Sequence, residues 1–240
     1  MVNTNKTKIP IIEMGSGKPL IFLHGYMCNK QFFDSQMQFF AKTHRVISYD
    51  LYGFGENIPM QKAYSLDDYV QEFFEVAYRY GEKVSVVAHS FGCRIVLKAL
   101  TLPKGEIIDK ALLCGVAGLK PEFSFKRETK KIMYKILKPF ASQRWLEKRF
   151  FSLDYKLATG YMKQTFKMVT SEYLDKGLSL IEKPVFLIFG ENDTQTPPKL
   201  AKRITQKVKN CGVYIMQGCS HFCFCERPNE FNYVAKEFLL

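Results

Sequence analysis

The chain of 240 residues contains no apolar run near the roughly 20 residues that a membrane-spanning helix requires. Residues 1–15 lack the apolar stretch of a secretory signal peptide. No internal repeat or low-complexity tract is present. The seven cysteines are an odd number spread along the chain, a pattern that favours reduced thiols over a disulfide framework. We therefore expect a cytoplasmic globular protein with no transmembrane segment.

Acidic residues are fewer than basic ones, and most of the difference falls in one segment of the chain. The chain has 35 lysine and arginine residues against 23 acidic residues, a net charge of +12. Between positions 120 and 167 there are 13 basic residues and four acids, so nine of the twelve excess charges lie in this segment. The segment contains no zinc finger, base-stacking motif or basic zipper, and nucleic acid is therefore not an expected partner.

Short apolar runs alternate with helical patterns along most of the chain, which predicts an α/β sheet with crossover helices. The runs are largely continuous, as expected for strands buried on both faces. They cover residues 19–23, 45–49, 83–88, 107–114, 184–189 and 213–216, with an edge strand over 8–13. Ser65 is the predicted cap of a helix that ends at Gly81, and two further helices are predicted over 197–208 and 228–239.

The stretch 119–180 interrupts this alternation. It contains helical patterns, carries the basic excess and has no convincing strand pattern. We therefore predict a core made of residues 1–118 and 181–240, with residues 119–180 inserted as a helical lid over the carboxyl edge of the sheet.

The strongest local signal is the stretch 86–94 (VVAHSFGCR), in which a predicted strand ends at Ser90 and a helical pattern follows. This strand–turn–helix context is typical of a nucleophile elbow. The residues two before and two after the serine must be small, and they are Ala88 and Gly92; the usual motif has glycine at both places. An ordinary serine cap on a crossover helix is the alternative interpretation.

Two further polar residues follow predicted strands. Asp193 lies in the turn GEND after the run 184–189, and His221 lies in the turn GCSH after the last run. Near the amino terminus, the stretch LHGY at 23–26 follows the first central strand. The order serine, aspartate, histidine, with each residue just beyond a strand, is that of the α/β-hydrolase catalytic triad.

These segments resemble the α/β-hydrolase superfamily over almost the whole chain. The stretch 50–55 (DLYGFG) is similar to the D-x-x-G-x-G turn of that family, a structural element. The stretch 221–231 is similar to the H-x-x-x-x-E-x-P tail of its smaller esterases and carbon–carbon bond hydrolases. The resemblance implies an α/β-hydrolase fold with a mostly parallel central sheet, helices on both faces and a small helical lid.

The resemblance also implies a role for each site residue. Ser90 is the nucleophile, His221 takes its proton and later activates water, and Asp193 orients the imidazole. The backbone N–H groups of Tyr26 and Phe91 form the oxyanion hole. Haloalkane dehalogenases and epoxide hydrolases of the superfamily have aspartate at the elbow, so Ser90 argues against both. No cofactor or metal ion is expected.

Several weaker signals are interpreted as structural. Cys219, His221, Cys223 and Cys225 match no standard zinc-ligand spacing. His24 and His89 flank the predicted site and are expected to hydrogen-bond locally, while His44 is expected on the surface. Cys28 and Cys93 are assigned to packing. Arg94 is shared with menaquinone-pathway synthases of the superfamily that bind a carboxylated substrate, but arginine at this place also occurs in general hydrolases.

The expected function is hydrolysis of small-to-medium carboxylic esters through an acyl-enzyme on Ser90. A carbon–carbon bond hydrolase or related lyase with the same triad is one alternative, and a non-catalytic ligand-binding protein is another. Within the lid, an apolar stripe at positions 132, 133, 136, 137 and 140 is expected to pack over the pocket. The basic residues beside it, Lys126, Arg127, Lys130, Lys131, Lys135 and Lys138, then form a solvated face. The competing hypothesis is that this face attracts anionic acyl carriers or lipid surfaces.

Overall fold

The computed structural model describes residues 9–81, 83–122 and 125–240. Seven strands form one sheet in the order β1-β3-β2-β4-β5-β6-β7. β1 runs antiparallel to β3, and every other neighbouring pair is parallel. The strands are β1 (Ile11–Met14), β2 (Lys18–Leu23), β3 (His44–Tyr49), β4 (Val84–His89), β5 (Ile108–Cys114), β6 (Val185–Gly190) and β7 (Cys211–Met216). The predicted α/β class and mostly parallel sheet are confirmed.

Helices cover both faces of this sheet. Alternate residues of a strand point to opposite faces, so each strand supplies two cores. One core packs the sheet against α2 (Leu66–Tyr80), α3 (Phe91–Leu100) and α8 (Lys199–Thr205), and the other packs it against α1 (Asp34–Phe40), α9 (Cys223–Glu226) and α10 (Pro228–Leu239). Within the described ranges, no helix is both long and apolar enough to cross a bilayer.

Most element boundaries agree with the sequence predictions to within a residue or two. Ser65 caps α2 in a reciprocal capping box with Asp68, and the helix ends at Gly81 as expected. Two elements differ more. The helix predicted over 197–208 is shorter at both ends: α8 has Pro198 at its N-cap and Gln206 at its C-cap. β1 begins at Ile11 and not at position 8, which lies outside the described residues.

His44 is buried, and the prediction that it lies on the surface is wrong. It is 4% exposed at the start of β3. Its Nδ1 lies 2.9 Å from the hydroxyl of Thr43, and its ring meets the ring of Phe40 at 5.9 Å. Burial, together with Lys110 and Lys18, lowers the pKa of His44. The ring is therefore accommodated as a neutral, partly apolar group.

Among the residues described between β5 and β6 there are four α-helices: α4 (Phe125–Leu137), α5 (Gln143–Phe150), α6 (Leu153–Leu157) and α7 (Gly160–Ser171). The apolar stripe of α4 does not pack over the protein as predicted. Ile132, Met133 and Ile136 are 51–60% exposed, and Phe140 just beyond the helix is 86% exposed. The helix instead contacts its neighbours through Tyr134, whose ring lies 5.6 Å from those of Phe150 and Phe151.

A buried ion pair holds the D-x-x-G-x-G turn after β3. The carboxylate of Asp50, which is fully buried, accepts hydrogen bonds from Lys30 Nζ at 2.9 Å and from the backbone N–H of Lys30 at 2.7 Å. It also accepts the N–H of Glu56 at 2.9 Å. A Cβ atom at Gly55 would lie 2.3 Å from this carboxylate, which explains the second glycine of the motif. The turn is thus a structural element, as its resemblance implied.

Replacing Asp50 by asparagine should lower the free energy of unfolding by about 2 kcal/mol, because Lys30 loses its buried counter-ion and keeps the exposed carboxylate of Glu56 at 2.8 Å. Asp109→Asn, at an exposed position of β5, is the matched control and should change the free energy by less than about 0.5 kcal/mol. Urea unfolding of the two variants and the wild type measures both effects. Equal stability of the two variants would contradict the role given to Asp50.

Candidate functional site

Ser90 occupies the sharp turn between β4 and α3. Its backbone has φ 48° and ψ −103°, a conformation that residues with a side chain rarely adopt. The chain passes so close to β2 that a Cβ atom at Gly92 would lie 2.5 Å from the carbonyl oxygen of Leu23. Ala88, two residues before the serine, is fully buried with its methyl group accommodated in the core. The departure from glycine at that place therefore leaves the elbow intact.

Asp193 and His221 form a buried acid–base pair. Asp193 follows β6, His221 follows β7, and His221 Nδ1 lies 2.7 Å from Asp193 Oδ2. Burial alone would raise the pKa of Asp193, but hydrogen bonds from His221 and Thr196 outweigh it, and the pKa is lowered. The ionised carboxylate favours the tautomer in which Nδ1 carries the proton, which leaves the lone pair of Nε2 available as a base.

The residue before the elbow, His89, connects Ser90 to His221. Its Nε2–H donates to the carbonyl oxygen of His221 at 3.1 Å, and the two imidazole rings are 4.6 Å apart. Burial and the neighbouring His221 lower the pKa of His89 to about 3. His89 is therefore neutral at ordinary pH and adds no competing charge to the site. Ser90, Asp193 and His221 thus follow the carboxyl ends of β4, β6 and β7, at one edge of the sheet.

The two residues predicted to donate to an oxyanion lie on either side of the elbow. Phe91 is the first residue of α3, where backbone N–H groups lack acceptors within the helix. Tyr26 lies in the loop after β2, and its ring is 6.0 Å from that of Phe91. Met27, the next residue, has φ 59°, a second strained position beside the site. A Cβ atom at Gly25 would lie 3.5 Å from Ser90 Cβ, so the loop of Tyr26 passes beside the elbow, and the oxyanion role of the two N–H groups stays a prediction.

The loop that carries Tyr26 is held by a neutral histidine. Nε2 of His24 accepts the backbone N–H of Leu51 at 3.1 Å, and its Nδ1 is 2.8 Å from the carbonyl oxygen of Gly25. Burial lowers the pKa of His24 to about 4. The hydroxyl of Tyr26 donates to the carbonyl oxygen of Met162 in α7 at 3.3 Å. This loop is therefore held on the core side by His24 and on the other side by the contact of Tyr26 with α7.

Sequence reasoning missed Thr196. Its hydroxyl donates to Asp193 Oδ2 at 2.7 Å, and its backbone N–H donates to Oδ1 at 2.9 Å. The N–H of Gln195 supplies a further bond to Oδ1 at 2.8 Å. A threonine three residues after an aspartate is a spacing at which the carboxylate commonly accepts local hydrogen bonds, and that spacing was the available signal.

Arg94 is committed to the inserted helices. Nη1 donates to the backbone carbonyl oxygens of Val169 at 2.7 Å and Glu172 at 2.5 Å, and the residue is 7% exposed. Burial lowers the pKa of this guanidinium. Its described contacts join α3 to the end of α7.

The cysteines pack as thiols. Cys93 Sγ donates to the carbonyl oxygens of Ala88 and Cys114 beneath the elbow, and Cys28 Sγ lies 3.6 Å from the carbonyl oxygen of Tyr26. The sulfur atoms of Cys114 and Cys223 are 3.4 Å apart without a bond. Over residues 9–81, 83–122 and 125–240, no group of three histidine, cysteine, aspartate or glutamate side chains is placed to hold a metal ion.

Two cavities adjoin the site. One, of about 360 Å³, lies between the loop of Met27 and the inserted helices and has a largely apolar lining that includes Met27, Ile58, Met60, Leu157 and Met162. The other, of about 580 Å³, lies beside Thr196 and has a mixed lining, in which Arg94, Glu122 and Lys199 stand among apolar residues such as Val116, Leu119 and Leu200. The first cavity therefore adjoins the loop after β2 and the second adjoins the turn of Asp193.

With this geometry in place, comparison with known proteins gives the family. A model of the alpha/beta hydrolase family matches residues 20–232, and the chain therefore belongs to that family. It is 23% identical to 2-hydroxy-6-oxo-6-(2'-aminophenyl)hexa-2,4-dienoic acid hydrolase of Metapseudomonas resinovorans, over 99% of this chain and 89% of that protein.

Two further relatives are esterases. The chain is 25% identical to the pimeloyl-[acyl-carrier protein] methyl ester esterase of Aliivibrio fischeri, over 94% of this chain and 95% of that protein. Among solved structures, an esterase of Exiguobacterium antarcticum superposes with a TM-score of 0.78 at 19% identity, covering 96% of this chain and 95% of its own. These similarities confirm the fold predicted from sequence.

Asp193→Asn should lower kcat by roughly three to four orders of magnitude if this carboxylate orients His221. Glu191→Gln is the matched control, because Glu191 lies two residues away in the same turn and its carboxylate accepts the backbone N–H of Gly218 in an exposed loop. That variant should keep kcat within about twofold. Steady-state hydrolysis of an activated ester measures both, and the reverse order of effects would reassign the acid.

Thr196→Val should lower kcat roughly tenfold, because one hydrogen bond to the ionised Asp193 is lost. KM should change little, and Thr196→Ser, which keeps the hydroxyl, should restore kcat. If valine and serine reduce kcat equally, the hydroxyl is not the group that matters.

Proposed function

We propose that the protein is a serine hydrolase that cleaves small-to-medium carboxylic esters through an acyl-enzyme. The observation that carries the proposal is the hydrogen-bonded pair of Asp193 and His221 at the same sheet edge as a serine held at φ 48°. A buried carboxylate, an imidazole with one free nitrogen and a strained serine at a helix start are the parts that nucleophilic acyl transfer requires.

In the proposed first half-reaction, Ser90 Oγ attacks the ester carbonyl carbon while Nε2 of His221 takes the hydroxyl proton. Negative charge develops on the carbonyl oxygen and is stabilised by the N–H groups of Tyr26 and Phe91. The tetrahedral intermediate collapses, the alcohol leaves with the proton from His221, and the acyl group remains on Ser90.

In the second half-reaction, His221 takes a proton from water, and the resulting hydroxide attacks the acyl carbon. Collapse of this intermediate returns the proton to Ser90 and releases the carboxylic acid. Asp193 stays ionised throughout and stabilises the imidazolium that forms in each half. His24 and His89 take no proton in this scheme, because burial lowers the pKa of each to about 4 or below.

The inserted helices at 119–180 act in this proposal as a lid that selects the substrate. They contribute Leu157 and Met162 to the cavity that Met27 also lines. A cavity of about 360 Å³ with this lining suits an apolar acyl or alcohol group of small-to-medium size. The esterase relatives named above support an ester as substrate.

Carbon–carbon bond hydrolysis is the second candidate, favoured by the relative from Metapseudomonas resinovorans. The triad serves both reactions. The described contacts of Arg94 favour the ester, because this arginine is engaged by Val169 and Glu172 backbone oxygens and does not need a substrate carboxylate. The odd number of cysteines, seven, supports a reducing compartment such as the cytoplasm.

Ser90→Ala should abolish hydrolysis of p-nitrophenyl acyl esters, with kcat/KM reduced by at least roughly three orders of magnitude. Ser171→Ala, at an exposed position at the end of α7, is the matched control and should retain wild-type turnover. Circular dichroism and urea unfolding should show both variants folded. Full ester turnover by Ser90→Ala would exclude Ser90 as nucleophile.

A panel of acyl chain lengths separates the two candidates. The ester proposal predicts a maximum of kcat/KM at a short or medium chain, and slow consumption of a 2-hydroxy-6-oxohexa-2,4-dienoate followed by its absorbance. A kcat/KM for the dienoate that exceeds every ester of the panel would replace the ester proposal by the carbon–carbon one.

A further inference from the structure

Helix α4 presents an apolar stripe to solvent. Ile132, Met133 and Ile136 are each more than half exposed, and Phe140 follows them at 86% exposure. At 100° per residue, positions 132, 133 and 136 fall within about a third of the helix circumference. Large side chains grouped in this way are unusual on the surface of a globular protein and mark a contact site.

The way α4 is attached keeps this stripe outward. Tyr134, on another side of the helix, packs edge-on against the rings of Phe150 and Phe151. Leu137, at the edge of the stripe nearer to Tyr134, is half-buried. The aromatic contacts of Tyr134 therefore hold α4 to the rest of the lid, while Ile132 and Ile136 face away from it.

Positive charge flanks the stripe. Residues 125–140 contain six lysine and arginine residues and one glutamate. Lys130, Lys135 and Lys138 are exposed; the side chains of Lys126, Arg127 and Lys131 lie outside the described part of the structure. A partner for this face must therefore offer negative charge around an apolar interior.

We propose that α4 lies on an anionic lipid surface, with Ile132, Ile136 and Phe140 inserted between the headgroups and the lysines contacting them. A helix with an apolar stripe and lysines on its flanks is the form that interfacial membrane helices take. Its 13 residues are too few to span a bilayer, so it lies in the plane of the surface. A second copy of the chain fits less well, because the lysines of its α4 would lie against the lysines of this one and repel them.

Flotation with lipid vesicles tests this proposal on the full chain. Vesicles of equal parts phosphatidylcholine and phosphatidylglycerol should bind the protein at least roughly tenfold more tightly than phosphatidylcholine alone. Binding should weaken as salt rises, since charges are screened beyond about 8 Å at physiological ionic strength. Equal binding to both vesicles, or binding to neither, would overturn the proposal.

Two variants separate charge from apolar insertion. Lys130→Gln/Lys135→Gln/Lys138→Gln should weaken binding to the anionic vesicles roughly a hundredfold. Ile132→Ser/Ile136→Ser should weaken it by at least roughly tenfold. Both changes lie on the exposed surface, so hydrolysis of a water-soluble ester should match wild type and report that each variant is folded.

The matched control removes the same charge elsewhere. Lys42→Gln/Lys202→Gln/Lys209→Gln changes three exposed lysines outside the lid and should retain wild-type binding. If this control weakens vesicle binding as much as Lys130→Gln/Lys135→Gln/Lys138→Gln does, the vesicles respond to the net charge of the protein and the proposal fails.

Sedimentation tests the other occupant, a second copy of the chain. The proposal fails if the wild type sediments as a dimer and Ile132→Ser/Ile136→Ser as a monomer. Vesicle binding is independent of the ester proposal, which the Ser90→Ala variant tests separately.

Discussion

Ser90 holds a backbone conformation with φ 48°, which costs a residue with a side chain about 1–3 kcal/mol and persists only where its surroundings enforce it. Contacts on both sides of the turn enforce it. β4 is buried at every residue, the N–H of Ser90 donates to Cys114, and Gly92 lies against the carbonyl oxygen of Leu23. The rigidity of the central sheet thus fixes the serine at the edge where Asp193 and His221 also emerge.

Parallel strands make this convergence possible. Their carboxyl ends share one edge, so residues more than a hundred positions apart become neighbours without a long-range motif in the sequence. The same edge leaves one histidine available as a base. His24 and His89 are both buried with lowered pKa values and serve as hydrogen-bonding supports, one for the loop of Tyr26 and one for the carbonyl oxygen of His221.

Sequence reasoning reached the sheet and the placement of the polar residues because each central strand is a continuous apolar run ended by a turn. It failed where the direction or burial of a side chain depends on the residues that the fold places beside it. The periodicity of α4 identifies an apolar stripe but not the direction it faces, which Tyr134 decides through Phe150 and Phe151. The burial of His44 follows from Phe40, and the role of Thr196 from the fold of the turn around Asp193.

The central claim is covalent catalysis at Ser90, and locating a covalent adduct tests it most directly. The wild-type protein is treated with a fluorophosphonate, digested, and its peptides are weighed by mass spectrometry. The account predicts one phosphonyl group per chain, on Ser90, with ester hydrolysis lost in proportion to labelling. A fully inactivated protein whose adduct lies on another residue, with Ser90 unmodified, would contradict it.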